Sequence, residues 1–222
     1  MKLLLRLFIL IFKLKYTQYM KLKLTALLFA ATVSSQAVIV NVDTGFNVAF
    51  VDNSGVPVAN GAGFVGVGIF GDISAITSES LKSGSSTFSQ FGPSLTFGNA
   101  GFEGFFTGDI SGPRISAADA FAGQQVYVVL GDQATLAESS SFAVIQGDLT
   151  DLFPIDDASP NPLDVAVTVN TSSSLLLGEL SGTTSIAGLD IPSVRMATVI
   201  PEPSSALLAG LALVGGLVRR RR

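Results

Sequence analysis

Carboxylates are the main side chains in this sequence equipped for acid–base chemistry. The 222 residues include no histidine and no cysteine. That removes the usual general base at neutral pH, the thiolate nucleophile and the ligands of a Cys/His zinc site. Among the carboxylates, the candidate acid/base sets are Glu103 with Asp109, or Asp148 and Asp151 with Asp156 and Asp157. Two such groups facing each other about 5–9.5 Å apart across a glycosidic bond make a polysaccharide hydrolase. Nothing in the spacing sets that separation, and acidic loop residues are ordinarily solvated, so the expectation is a protein that is not an enzyme. The same oxygens suit calcium, a hard cation. The D-x-[DN]-x-[DN]-G order of a dedicated loop is missing, and no cofactor is expected, calcium being the one ion the donors would fit.

Two further patterns invite a binding role. Gly61-Ala62-Gly63-Phe64-Val65-Gly66 fits G-x-G-x-x-G, but a dinucleotide site needs a strand before the motif and a helix after it. Here a loop precedes and the β-type run FVGVGIF follows, which reads as a glycine-rich turn into a strand. Six of the 16 phenylalanines, at 88, 91, 97, 102, 105 and 106, fall on one Gly/Ser-rich stretch. Core packing is the plain reading. A surface aromatic platform for sugars or self-association is the alternative, and the absence of Trp counts against it.

The elements that would position these residues are strands. Val38–Val42, Phe46–Val51, Phe64–Phe70, Thr87–Phe91, Leu95–Phe97, Phe102–Phe106, Gln125–Leu130, Phe142–Gln146, Leu163–Val169 and Val194–Ile200 are apolar or alternating runs separated by Gly, Ser, Asn and Asp clusters. Ile73–Lys82 is the best helix candidate, with Asp72 or Ser74 as cap and Gly84 as stop. Ser116–Phe121 and Thr135–Ser140 can make a turn or two. The pattern predicts a mostly β protein, an antiparallel β-sandwich of jelly-roll or immunoglobulin-like kind with one or two short helices. The PIDDASPNP loop, 154–162, can join its two halves.

Charge is distributed unevenly. Residues 38–199 carry sixteen acidic and only three basic side chains, Lys82, Arg114 and Arg195, a net charge of −13 against −4 for the whole chain. Such a body repels nucleic acid, whose phosphates need Lys and Arg, and favours solubility or repulsion between copies.

The two ends are built differently. Pro201-Glu202-Pro203 holds the chain extended. The apolar run 204–218, SSALLAGLALVGGLV, then predicts a helix of 15 residues, or roughly 22 Å at about 1.5 Å per residue. Arg219, Arg220, Arg221 and Arg222 follow. Hydrocarbon is about 30 Å thick, so spanning requires snorkelling arginines or a thinned bilayer. The arginines would stay cytoplasmic and leave the body outside. A single C-terminal transmembrane helix is therefore expected.

This order of parts, over Ile200–Arg222, resembles the PEP-CTERM sorting signal, also catalogued as an ice-binding protein C-terminal domain. The resemblance implies recognition of Pro201, Glu202 and Pro203 by an exosortase, a membrane-embedded transpeptidase. It also implies transient residence in the inner membrane and then delivery to the cell surface or exopolysaccharide matrix. At the other end Lys21 and Lys23, the run Leu24–Val33 and the small residues Ser35 and Ala37 match a signal peptide beginning at Met20. Residues 1–19 then read as an upstream extension. The expected organisation is 1–37 extension and signal peptide, 38–199 exported acidic β domain, and 200–222 sorting tail. Signal peptidase and exosortase are the processing partners, with the membrane engaged through the tail and no nucleic acid. The function expected is that of an exported surface or matrix protein, structural or adhesive. A carbohydrate-binding module that holds exopolysaccharide is the first alternative, and a polysaccharide hydrolase the second.

Overall fold

The computed structural model describes residues 38–98, 101–155 and 163–199. In chain order the strands are β1 (Val38–Asp43), β2 (Ala49–Val51), β3 (Phe64–Phe70), β4 (Phe88–Leu95), β5 (Thr107–Gly112), β6 (Tyr127–Gly131), β7 (Ser141–Gln146), β8 (Asp164–Thr168), β9 (Ser174–Leu177), β10 (Glu179–Ile186), β11 (Leu189–Arg195) and β12 (Ala197–Thr198). One α-helix, α1 (Ser78–Ser83), follows a 3-10 turn at Ile73–Ala75. The fold is mostly β, with sandwich-like sheets and very little helix.

The largest sheet runs β12-β7-β6-β3-β4, with β9 also paired to β7. β9 aligns with Val144–Gln146 and β12 with Ser141–Phe142, so the two lie along different stretches of β7. Alternation sorts the side chains of this sheet onto two faces. Val65, Val67, Val128, Leu130, Ala143 and Ile145 join the main core together with Val40, Val42, Ile110, Val165 and Val167 of the β5-β1-β8 sheet. Phe64, Val129, Phe142 and Val144 turn the other way and meet Leu81 of α1. The central strands are covered on both sides, which is why β6 and β7 read as continuous apolar runs and not as alternating ones. Each fully buried side chain of this size contributes about 1.5–3 kcal/mol.

Helix α1 has six residues, too few to persist on intrinsic propensity. Thr77 and Ser80 form a capping box, Glu79 lies in the first turn, Lys82 in the last, and Gly84 closes it at φ 70°. Leu81, 2% exposed, pins it to the sheet.

Several expectations are corrected. The sandwich is not wholly antiparallel: β1 pairs β8 in parallel and β11 pairs β2 in parallel. Both pairs join segments far apart in the chain, and a parallel pair needs a long crossover that leaves no local mark in the sequence. The expected helix over Ile73–Lys82 is broken because Ile76 and Thr77 are extended and Asp72 and Thr77 each cap a separate turn. Phe102–Phe106 is not a strand. Gly101 and Gly104 have φ of 83° and 75°, and a Cβ on Gly104 would stand 2.9 Å from the Phe50 carbonyl oxygen, so the strand starts only at Thr107. Thr87–Phe91 belongs largely to β4, which runs on to Leu95, so the expected separate strand Leu95–Phe97 does not form. Phe46 lies in a turn ahead of β2. Strands β5, β9, β10 and most of β11 are additions that the apolar pattern misses, and the expected strand Val194–Ile200 is divided at Met196 between the end of β11 and β12. The middle of the proline loop, Ile200 and the transmembrane helix expected over 204–218 lie outside the described residues. Among the described residues no helix is long and apolar enough to cross a membrane.

Candidate functional site

Several of the body's carboxylates are engaged in closing turns. Asp52 accepts hydrogen bonds from the Ser54 and Val56 amides at 2.8 and 2.9 Å. Asp132 accepts from the Ser140 and Ser141 amides at 2.8 and 3.1 Å. Asp72 accepts from the Ser74 hydroxyl and amide, and these bonds hold its carboxyl below the usual range. Asp119 is lowered in the same way by the Ser116 amide and hydroxyl. In such turns a short carboxylate substitutes for a backbone acceptor.

The two acidic sets singled out from the sequence receive local explanations as well. Asp109 lies opposite Asn41 in the β1–β5 ladder and accepts from the Asn41 Nδ2 at 2.7 Å, while Glu103 is exposed in the turn before β5. Asp151 accepts from the Asp148 amide at 2.8 Å. Burial pushes its carboxyl up, with a smaller push from the Asp148 charge, against the lowering effect of that hydrogen bond. The surrounding carbonyls converge on the Gln125 side chain. Its Nε2 donates to the Gly147, Asp148 and Asp151 carbonyls at 3.2, 2.9 and 3.1 Å, so the oxygens a hard cation would seek are engaged by an amide. Asp156 and Asp157 lie outside the described residues. Among the described residues no three acidic side chains gather as a metal site would require.

The glycine motif is a turn into β3. Gly61 and Gly63 have φ of 76° and 73°, and Phe64 begins the strand. Of the clustered phenylalanines, Phe91, Phe97, Phe105 and Phe106 are 0–1% exposed, and Phe97 and Phe106 meet edge to face at 5.6 Å. Core packing accounts for these four.

Phe102 differs, being 37% exposed beside Phe46, which is 42% exposed. The rings stand 5.5 Å apart at 89°, and Phe46 leans on Phe105 at 5.0 Å. Phe46 sits in a tight corner, Thr44-Gly45-Phe46-Asn47, closed by the Asn47 amide donating to the Thr44 carbonyl at 2.9 Å. Gly45 and Phe46 both have positive φ, 52° and 57°, the pairing of a type I′ turn, where the second position is normally glycine. Reading Phe46 as the first residue of a strand missed this corner. Its available signal was Asp43 ahead of Gly45: the Asp43 carboxylate accepts from the Gly45 amide at 2.9 Å.

The body ends where the tail begins. Met196, 1% exposed, donates its amide to the Val51 carbonyl at 2.9 Å. β12 pairs with β7, the Ser78 hydroxyl donates to the Ala197 carbonyl at 3.3 Å, and the Val199 amide donates to the Ser140 carbonyl at 3.2 Å. Val199 packs against the Phe142 and Val144 cluster. Two residues later stands Pro201. Pro201, Glu202, Pro203, the terminal Arg219–Arg222 cluster and, at the other end, Ser35 and Ala37 lie outside the described residues. A family model, the PEP-CTERM protein-sorting motif, matches residues 199–222. No curated protein and no solved structure matches the chain. The tail is a PEP-CTERM sorting signal, which marks an exported protein processed by an exosortase.

Proposed function

We propose that this chain is a structural or adhesive component of a bacterial surface or exopolysaccharide layer, delivered there through its C-terminal tail and carrying no catalytic activity of its own. The supporting observation is the sorting-motif match over 199–222, joined directly to a folded acidic body. Val199 is hydrogen-bonded to the central sheet, and Pro201 follows within about 7 Å of extended chain. In this reading an exosortase works close against a folded body while the apolar segment 204–218 holds it at the bilayer. Arg219–Arg222 keep the far end inside. Signal peptidase acts first, between Ala37 and Val38.

The body's charge fits the role. A net −13 keeps copies apart during transit, and several of the described carboxylates, Asp52, Asp72, Asp119 and Asp132 among them, are engaged in closing turns.

The experiment replaces Pro201, Glu202 and Pro203 by Ala in the full chain expressed in its host. Export should persist, the mass loss that reports tail removal should disappear, and the protein should collect in the inner membrane. Processing and delivery unchanged from wild type would defeat the sorting mechanism and with it the matrix role.

A further inference from the structure

Phe46 is an unusual residue to find where it is. A bulky side chain at φ 57° is strained, and folding alone would favour Gly or Asn there. The other described non-glycine residue with positive φ is Ala187 at 51°, a methyl group in a hairpin turn. At Phe46 the strain holds a large ring 42% in water. Strain that the interior does not require is a reason to look for a role at the surface.

The surroundings define what could use this ring. Phe46 and Phe102 meet at 89°, so they form a corner with two apolar walls rather than a flat strip, and the buried Phe105 braces Phe46 from beneath. The neighbours in sequence are acceptors and an amide: Asp43, Asn47 and Glu103. Residues 38–81 and 83–113, which include both walls of the corner, contain no Lys or Arg.

Chain segments that carry carboxylates and an amide but no cation, on a body of net charge −13, disfavour anionic ligands and suit a neutral one that brings hydroxyl donors. An aromatic face is electron-rich and attracts weakly positive C–H groups. We propose that Phe46 and Phe102 receive the C–H face of a neutral hexopyranose unit of a polysaccharide, with the flanking carboxylates and amide accepting from its hydroxyls. Such a site deepens the matrix reading and rests on it for its biological sense.

The test is affinity electrophoresis of the full chain, purified in mild detergent, through gels holding hydroxyethyl cellulose, galactomannan, dextran or alginate. At least one neutral polymer should retard the protein and alginate should not. Phe46→Gly and Phe102→Ala should each weaken that retardation at least tenfold, while Phe46→Gly melts at the wild-type temperature or above because glycine relieves the turn. Phe46→Trp, which enlarges the wall, should bind at least as tightly as wild type, and Phe102→Ala, which leaves the turn unchanged, decides the matter if Phe46→Gly fails to fold. No retardation by any neutral polymer overturns the proposal. So does retained binding in folded Phe46→Gly or Phe102→Ala, which would make the ring only a brace for Phe105. A concentration-dependent dimer abolished by Phe46→Gly, without retardation, would overturn it by assigning the corner to a second copy. Retardation is read on purified protein, so its failure leaves the sorting reading standing, and failure of sorting leaves the retardation standing.

Discussion

Strands β6 and β7 and the hairpin β10–β11 are neighbouring stretches of one β protein held by different means. Every residue of β6 is buried, as are the first five of β7, and neither strand carries a charge. The hairpin has only Ile186, Ser193 and Val194 buried, and its link to β2 spans just Ser193, Val194 and Arg195. Its two strands are joined by Ala187 and Gly188, both at positive φ, the two-residue turn that suits the twist of a hairpin. Pairing and turn geometry hold the hairpin, whereas burial on two faces holds the centre. The chain reaches its sorting tail by way of β12, which is laid on the buried strand β7 and not on the hairpin.

The sharpest break of this contrast is Phe142→Ala. The side chain is fully buried, and its loss should cost about 3–5 kcal/mol, read from the urea midpoint of the purified chain. A cost below about 1 kcal/mol would mean that the second face of β7 is not a core. Thr77→Ala removes the cap of the helix that covers this face and should cost about 1 kcal/mol by the same measurement. Ser141 provides an effect of opposite sign. Its Oγ is buried with no hydrogen-bond partner among the described residues, so Ser141→Ala should be neutral or stabilising by up to about 1 kcal/mol. In the hairpin, Leu189 is 66% exposed, and Leu189→Ser should change stability by less than about 0.5 kcal/mol.

The slightest effect is one of pH, and it runs in opposite directions in the two settings. Asp72 and Asp119, in exposed turns, are lowered by hydrogen bonds. Their contribution is present above the ordinary carboxylate value and is lost as pH falls through their folded values. Asp151, where the loop after β7 returns to β6, is raised chiefly by burial. Its contribution is present below the ordinary value and is lost as pH rises through its folded one. Asp151→Asn should therefore flatten the stability profile above pH ~4, and urea midpoints from about pH 3 to 7 would show it. A profile unchanged from wild type would mean that Asp151 titrates as a solvated acid.

Legibility in the sequence followed burial. FVGVGIF, YVVLG and SFAVIQ announce β3, β6 and β7 because strands covered on both faces must be apolar throughout. VIVNVD and DVAVT announce β1 and β8, which bury alternate residues. ELSGTTSI does not announce β10, since a strand exposed on both faces has no need of apolar residues. TGDISG in β5 buries only Ile110, and the richer apolar run just before it, Phe102–Phe106, drew the assignment instead. Among candidate sites, the acids and the glycine motif were visible as residue types, while their use in turns was not.

By itself the sequence determined the sorting tail, the β-rich class and the acidic body. Each of these is a matter of residue order or composition over a short span, and short-range sterics, hydropathy and charge are local. The tertiary structure decided the parallel pairings of β1 with β8 and of β2 with β11. It also decided which phenylalanines leave the core, and that Phe46 takes a left-handed backbone in a corner between sheets. Those outcomes depend on segments distant in the chain coming together, and the free energy of closing such contacts is written in no single stretch of residues.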